Sequence, residues 1–401
     1  MSDFEGAGAP GADSPGESPG ADARGSRPSG AGGPRVLLAL PTSEGGIGRH
    51  VHSIAIGLAD HGIPVSVAGP ESTDRAFGYR AAGLPFHPVE IATIPKPVAD
   101  LAAARRLRHL ASGADLVHAH GLRAGFVAGL ALAGPDRAAR PPLIVTWHNA
   151  VLASGIRRRL LAGLERTVAR SATLTLGASP DLVERARQLG ARDARLGPVA
   201  APPLPPAKRE RETVRAELDA GDRPVILAVG RLAPQKSYPL LLSAARQWSE
   251  RRPQPLVVIA GEGPERPVLQ AEIDAHALPV RLLGHRSDVA DLLAAADLVV
   301  LSSRWEARAL IAQEALRAGR PLVATAVGGI PELVGPAAVL VPYGDGAVLA
   351  AAVDRLLDDP AEAARLAQAG PIQAARWPTE VDTVDQLLAR YHELVAARSA
   401  R

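Results

Sequence analysis

A chain of 401 residues is long enough for two ordinary domains, each with a core of its own. It has no cysteine, which excludes disulfides, thiolate nucleophiles and cysteine-ligated metal. A formal charge of +3 and only 3% aromatic residues leave little for a nucleic-acid stacking platform, and the 47% apolar residues fall in blocks shorter than the ~20 residues a spanning helix needs.

Residues 1–33 are Gly, Ala, Ser, Pro and acid with almost nothing to bury, and are expected to be disordered. The opening MSDFEGAGAP lacks a basic stretch and an apolar run, so it does not read as a secretory signal; with the missing cysteines this suits a cytoplasmic enzyme. From Val36 the pattern changes. VLLAL (36–40), PVSVAG (64–69), LVHAH (116–120), LIVTWH (143–148) and TLTLG (173–177) are short continuous apolar runs separated by helical patterns, as buried parallel strands are. This predicts a first domain over 34–200.

Within it, SEGGIGRHVH (43–52) joins the first strand to the first helix, and Gly45, Gly46 and Gly48 would let backbone N–H groups approach a phosphate or an acceptor hydroxyl; glycine turns are also common without any ligand. His118 and His120 share one side of a strand. That invites a metal reading, which is set aside because no carboxylate or third histidine is placed to complete a site. His118 reads as a structural histidine, while His120, last in its strand, reaches the cleft. His148 holds a similar position and is read as an acceptor contact or a cap. Arg105, Arg106 and Arg108, and Arg157, Arg158 and Arg159, form basic clusters whose plain reading is a solvated helix face. The second cluster lies beside Ile156, Leu160, Leu161 and Leu164, and so also fits peripheral contact with an anionic membrane at its inner face.

GPVAAPPLPPAKRERE (197–212) sets five prolines beside a charge run, which makes a linker, and a hinge is expected over 201–220. The alternation then restarts with VILAVG (225–230), LVVIAG (256–261), VRLLG (280–284), LVVLSS (298–303), LVAT (322–325) and AVLVP (338–342), a second domain over 221–376. A final helical pattern over 377–401 has no strand after it and could pack on either domain. The fold class is α/β: two Rossmann-like doubly wound domains facing across a cleft, with ligands at the carboxyl ends of the strands.

In the second domain GRLAPQK sets Arg231 and Lys236 after a strand, where two cations can converge on a diphosphate or can be ordinary surface charges. Glu306 lies just past a strand and Glu314 eight residues on, within a helix. They are too far apart for a close acid/base pair, but could hold the sugar hydroxyls and the ribose of one extended ligand. The helix N-terminus between them would face its phosphates. Two solvated helix glutamates are the plain alternative.

GRLxxxK, then E-x7-E, then GGIPELV, with GEGPE (261–265) and LLGHR (282–286) between them, resembles the retaining family-4 glycosyltransferases of the GT-B fold. The resemblance runs from Val36 to the terminal helix. It implies transfer of a hexose from a nucleotide-diphosphate sugar to a hydroxyl acceptor: a glycolipid, a cell-envelope glycan or a small molecule. The implied donor site is Arg231 and Lys236 on the diphosphate, Glu306 on the sugar, Glu314 on the ribose, His285 and Arg286 against the base through backbone, and Arg308, Ala309 and Leu310 at the helix start. His120, Arg231, Lys236 and Glu306 are the implied catalytic group, with His120 beside the donor sugar. The family has no consistent metal requirement and no cofactor is implied. Glu306-Ala307-Arg308-Ala309 departs from the usual Glu-Gly-x-Gly or Glu-Gly-x-Pro, and Ser237 stands where glycine often follows the lysine. Two other classes each fit part of the pattern. A nicotinamide oxidoreductase is suggested by Gly46-Ile47-Gly48 and Glu71, against which stands Val51 in the third glycine position. A non-catalytic nucleotide-sugar-binding protein is suggested by Ala307 and Ala309.

Overall fold

The computed structural model describes residues 33–400 except 44, 136–139, 154, 198, 201 and 202, and not the side chains of 156 and 157. The expectation for 1–33 therefore lies, apart from Gly33, outside the described residues, as does the side chain of Arg157.

The first sheet has seven parallel strands: β1 (Val36–Ala39), β2 (Val65–Gly69), β3 (Phe86–Pro88), β4 (Leu116–His120), β5 (Leu143–Trp147), β6 (Leu174–Gly177) and β7 (Ala194–Leu196). The order across it is β3-β2-β1-β4-β5-β6-β7. Helices α1 (Gly46–Asp60) and α2 (Glu71–Phe77) follow β1 and β2; α3 (Pro97–Ala111), α4 (Gly121–Ala131), α5 (Gly155–Ser171) and α6 (Pro180–Gln188) follow β3 to β6. The second sheet has six parallel strands: β8 (Val225–Val229), β9 (Leu256–Ala260), β10 (Val280–Gly284), β11 (Leu298–Leu301), β12 (Leu322–Thr325) and β13 (Val339–Val341), in the order β10-β9-β8-β11-β12-β13. Its helices are α7 (Arg211–Glu217), α8 (Tyr238–Gln247), α9 (Arg266–Ala275), α10 (Val289–Ala295), α11 (Leu310–Arg317), α12 (Ile330–Val334), α13 (Gly346–Asp358) and α14 (Pro360–Ala374). Helices cover both faces, so the central strands are buried throughout and mostly apolar: every residue of β1, β4, β5, β9, β11 and β12 is buried. Among the described residues no helix is long and apolar enough to cross a membrane.

Strand order reverses between β1 and β4 in one sheet and between β8 and β11 in the other. At such a reversal the loops leave the carboxyl ends in opposite directions and open a crevice. The glycine loop after β1, His120 at the end of β4, GRLAPQK after β8 and SSRWEAR after β11 all sit at these points.

One expectation needs correction, and one left open is decided. The linker is shorter than 201–220, because 211–217 forms α7 and packs on α10, with Val214, Leu218 and Ala220 in the second core. Val214 and Leu218 are four apart on one helical face, and the prolines that resist a helix end at Pro206. The last helix, α15 (Glu380–Ser399), belongs to the first domain although its sequence follows the second. Val384, Leu387 and Tyr391 enter the first core against α1, whereas Trp377 is in the second core and donates Nε1–H to the Leu333 carbonyl at 2.8 Å. A Thr379–Asp382 capping box starts α15 between the two. The chain thus crosses between domains twice, before α7 and again at 377–380. Edge strands β3 and β7, three residues each, carry no apolar run and were not foreseen.

Candidate active site

The loop after β8 is held from behind. A Cβ on Gly261 would lie 1.9 Å from the Gly230 carbonyl oxygen, and one on Gly263 would lie 2.3 Å from that of Leu232, so GEGPE must be glycine at both places for the loops to touch. In front, the Ser302 hydroxyl donates to the Lys236 carbonyl (3.0 Å), the Arg304 amide to the Gln235 carbonyl (2.8 Å), and Gln235 Nε2 to the Trp305 carbonyl (3.0 Å). The result is one rigid unit built from the loops after β8 and β11. Inside it Lys236 Nζ meets Glu306 Oε1 at 2.6 Å, and the buried Ser303 hydroxyl donates to the same oxygen at 2.8 Å. Arg231 is exposed and has no hydrogen bond or ion pair among the described residues. The sequence places Lys236 and Glu306 on separate parts of a ligand; the structure first joins them to each other.

Residues 305–309 form the contact with the first domain. Trp305 and Ala307 are buried in the first core, and Trp305 Nε1–H donates to Asp181 Oδ2 at 2.7 Å. Gly328 and Gly329 press on this segment from the other side: the Gly329 amide donates to the Glu306 carbonyl at 2.9 Å, and Cβ atoms at the two glycines would lie 2.1 and 2.2 Å from the Glu306 and Ala307 carbonyl oxygens. Arg308, expected at the donor, turns instead to the linker and donates Nε–H to the Val199 carbonyl at 3.0 Å. Its Nη2 is buried without a partner among the described residues, and burial lowers its pKa to about 10 against the pull of Glu332. Ala309 is the N-cap of α11 and Leu310 its first residue; no side chain caps this end, so its leading N–H groups are open to an anion. Glu314, half-buried on α11, has its pKa raised by burial and pulled back by Arg49 and Arg317. Arg49 belongs to α1, so the first domain's charge is felt at Glu314.

His285 is exposed. Arg286 is bound through Nε and Nη2 to Asp288 (2.7 and 2.6 Å) and through Nη1 to Glu217 (2.6 Å), which raises its pKa and leaves only its backbone for a ligand.

In the first domain Gly45 and Gly46 are exposed, with open space where a Cβ would stand. Gly48 is a correction. Its amide donates to the Ser43 hydroxyl (3.0 Å), its carbonyl accepts from Tyr79 (2.9 Å), and a Cβ would lie 2.1 Å from the Phe77 ring. It is a packing glycine with no group left for a phosphate. His118 is satisfied on both nitrogens, Nδ1 by Tyr391 Oη and Nε2 by Thr146 Oγ1, each at 2.7 Å. His120 and His148 are buried side by side, His120 Nδ1 3.2 Å from His148 Nε2. The absence of a third histidine, expected from the sequence, is also corrected: His50, on α1, brings its ring to centroid distances of 5.9 Å from His120 and 5.4 Å from His148. Burial lowers all three pKa values, that of His50 to about 4, so the rings are neutral near pH 7. His50, Asp181, Trp305 and Ser303 were missed. Only the adjacency of β1, β4 and β5 could have signalled His50, and that is a property of topology.

Residues 45–202 match the model of the glycosyl transferase 4-like domain and residues 210–373 that of glycosyl transferases group 1. D-inositol 3-phosphate glycosyltransferase of Xylanimonas cellulosilytica is 30% identical over 420 residues, covering 92% of this chain and 99% of the relative. The chain belongs to the family-4 glycosyltransferases. Alpha-D-kanosaminyltransferase of Streptomyces kanamyceticus is 33% identical over 263 residues, 62% of this transferase and 68% of the relative. Among solved structures Anabaena Alr3699/HepE, crystallised in complex with UDP, superposes with a TM-score of 0.75 at 22% identity, covering 90% of this chain and all of the other, and shows the GT-B fold. The transferase moves a glycosyl group from a nucleotide sugar. These matches give no support to the oxidoreductase reading or to a binding protein without activity.

Proposed function

We propose that the transferase takes a hexose from a nucleoside diphosphate and delivers it, with retained anomeric configuration and without a metal, to a hydroxyl of a cyclitol or sugar acceptor. The observation that carries this reading is the Lys236–Glu306 pair, held by Ser303 beside the uncapped end of α11. A diphosphate arriving there meets Arg231, Lys236 and the α11 N-terminus. Lys236 gives part of its contact with Glu306 to phosphate oxygens, and Glu306 turns its lone pairs to the sugar hydroxyls. As the bond from the anomeric carbon to the diphosphate breaks, these positive groups take up the charge. The acceptor oxygen bonds to that carbon on the same face, and its proton leaves on the departing diphosphate oxygen. His120, kept neutral by burial, supplies a hydrogen bond beside the sugar but no charge. Glu314 holds the ribose, and the exposed backbone at Gly45 and Gly46 meets the acceptor or a phosphate. UDP stands with HepE and the names of the relatives include a cyclitol phosphate, which makes UDP-hexoses and D-inositol 3-phosphate the first pair to try.

The test is release of nucleoside diphosphate and product mass with UDP-, GDP- and ADP-hexoses against cyclitol and sugar acceptors, with and without chelator. One donor should turn over, chelator should not change the rate, and Lys236→Ala should lower it by roughly 100-fold or more while the fold stays intact. No product from any donor, or a wild-type rate in Lys236→Ala, would end this reading.

We place the enzyme in the cytoplasm, with α5 against an anionic membrane. Support comes from Arg158 and Arg159, both exposed, beside Leu160 and Leu152, which are 71% and 46% exposed. Co-sedimentation with phosphatidylglycerol vesicles should be lost in Leu160→Asp; equal partitioning of both proteins would refute the contact.

A further inference from the structure

His50, His120 and His148 come from three segments that the order β1-β4-β5 sets side by side: the start of α1, the end of β4 and the residue after β5. One ligating nitrogen from each ring lies within 4.8 Å of those of the other two. His120 Nδ1 and His148 Nε2 are 3.2 Å apart, close to the roughly 3.3 Å that two imidazole nitrogens subtend on a tetrahedral ion at bonds of ~2.0–2.1 Å. Among the described residues, the only hydrogen bond made by these three rings is this one. Among the described residues the Nε2 of His120, a fully buried residue, has no partner, and no ring is tied to a carboxylate. A buried polar group normally finds a partner, and beyond the His120–His148 contact the described residues offer these three rings none. Burial keeps the three rings in the neutral form that ligates. His118 cannot join them, since Tyr391 and Thr146 already take both its nitrogens.

We propose that His50, His120 and His148 bind one divalent transition-metal ion of the zinc class, with its remaining position left to water or a substrate hydroxyl. All-nitrogen, carboxylate-free ligation selects such an ion over magnesium or calcium. Transfer does not need it, because Arg231, Lys236 and the α11 N-terminus face the diphosphate. Occupancy instead engages His120, which the proposed reaction sets beside the sugar. Metal and transfer therefore compete, and added zinc lowers turnover until chelator restores it. That consequence rests on the proposed function; the binding does not.

The test is titration of the chelator-treated full chain with Co²⁺, followed by calorimetry and visible absorption, and repeated with Zn²⁺. Wild type should take up one equivalent with the spectrum of a four-coordinate site. His50→Gln and His148→Gln should each lose tenfold or more in affinity, while His109→Gln, on α3 and outside the cluster, binds as wild type. Circular dichroism establishes that each variant is folded; His50 is half-buried, so its variant decides the matter if His148→Gln misfolds. No saturable binding, or undiminished binding in His50→Gln, overturns the proposal. Turnover measured on the same samples separates the two claims. A protein that transfers sugar and binds no metal sinks only the metal site, and one that binds metal with no donor accepted sinks only the proposed reaction.

Discussion

At Ser237 the backbone adopts φ 51° and ψ 46°, a left-handed conformation that costs a residue with a Cβ about 1 kcal/mol. The sequence showed only that serine stands where glycine is usual; the dihedral angles say why glycine is usual there. The Ser237 hydroxyl recovers part of the cost through Tyr343 Oη at 3.1 Å. Ser237→Gly should therefore raise stability modestly, by about 0.5 kcal/mol, seen as a higher denaturant midpoint at unchanged slope. A lower midpoint would mean that the Tyr343 contact outweighs the strain. The histidines give a second prediction at this scale. Burial holds His50, His118, His120 and His148 neutral, with pKa values of about 4 for His50 and about 3 for His118. In the unfolded chain each takes up a proton below its ordinary value of about 6.5, and in the native chain it does not. Their contribution is thus complete above pH 6.5 and is lost as pH falls toward 4, by up to about 1.4 kcal/mol per group per pH unit. The unfolding temperature should drop steeply between pH 6.5 and 5, before most carboxylates titrate; a flat profile over that range would contradict the burial of the cluster.

Among the elements, the segment between β11 and α11 does most to explain the departures seen in the sequence. Ala307 and Ala309 raised the idea of a decayed site. Ala307 lies with Trp305 in the first core, so its methyl adds packing where glycine would leave a gap. Arg308 does not crowd the donor, because the carbonyl of Val199 holds it. Neither fact was legible, since both depend on contacts between residues more than a hundred positions apart. What was legible was chemistry tied to strand ends, as with Lys236, Glu306 and Glu314. The Gly328-Gly329 pair was legible as a motif but not as a constraint. Gly329→Ala would set a Cβ 2.2 Å from the Ala307 oxygen and 2.7 Å from the Ser179 side chain, and must push the segment away from one domain or the other. We expect a loss of about 1–3 kcal/mol in stability and a fall in turnover, measured by denaturation and by the donor assay. An unchanged enzyme would show that this segment yields freely.

For the molecule as a whole, the sequence showed the α/β class through unbroken apolar runs, and all eleven of those runs contain strands of the two sheets. β3 and β7 stayed hidden because neither lies in an unbroken apolar run, whereas the equally short β13 does. The partner of the last helix stayed hidden because its apolar stripe fits any groove of the right width. Tyr391, buried in the first core and bonded to His118, settles that partner and ties the far end of the chain to the floor beneath His120. Between the two crossings lies a cavity of about 670 Å³, lined by Leu204, Pro205, Arg317, Arg320, Thr379 and Val381.

The return of α15 has a practical corollary for protein engineering. A hybrid made by joining the amino half of this enzyme to the carboxyl half of a relative at a single breakpoint, near Pro205, inherits a foreign α15 against α1 and loses the match between Tyr391 and His118. A hybrid with two breakpoints, near Pro205 and Pro378, keeps the whole first domain from one parent. The two-breakpoint hybrid should unfold at the higher temperature of the two, and equal unfolding temperatures would mean that the terminal helix is interchangeable.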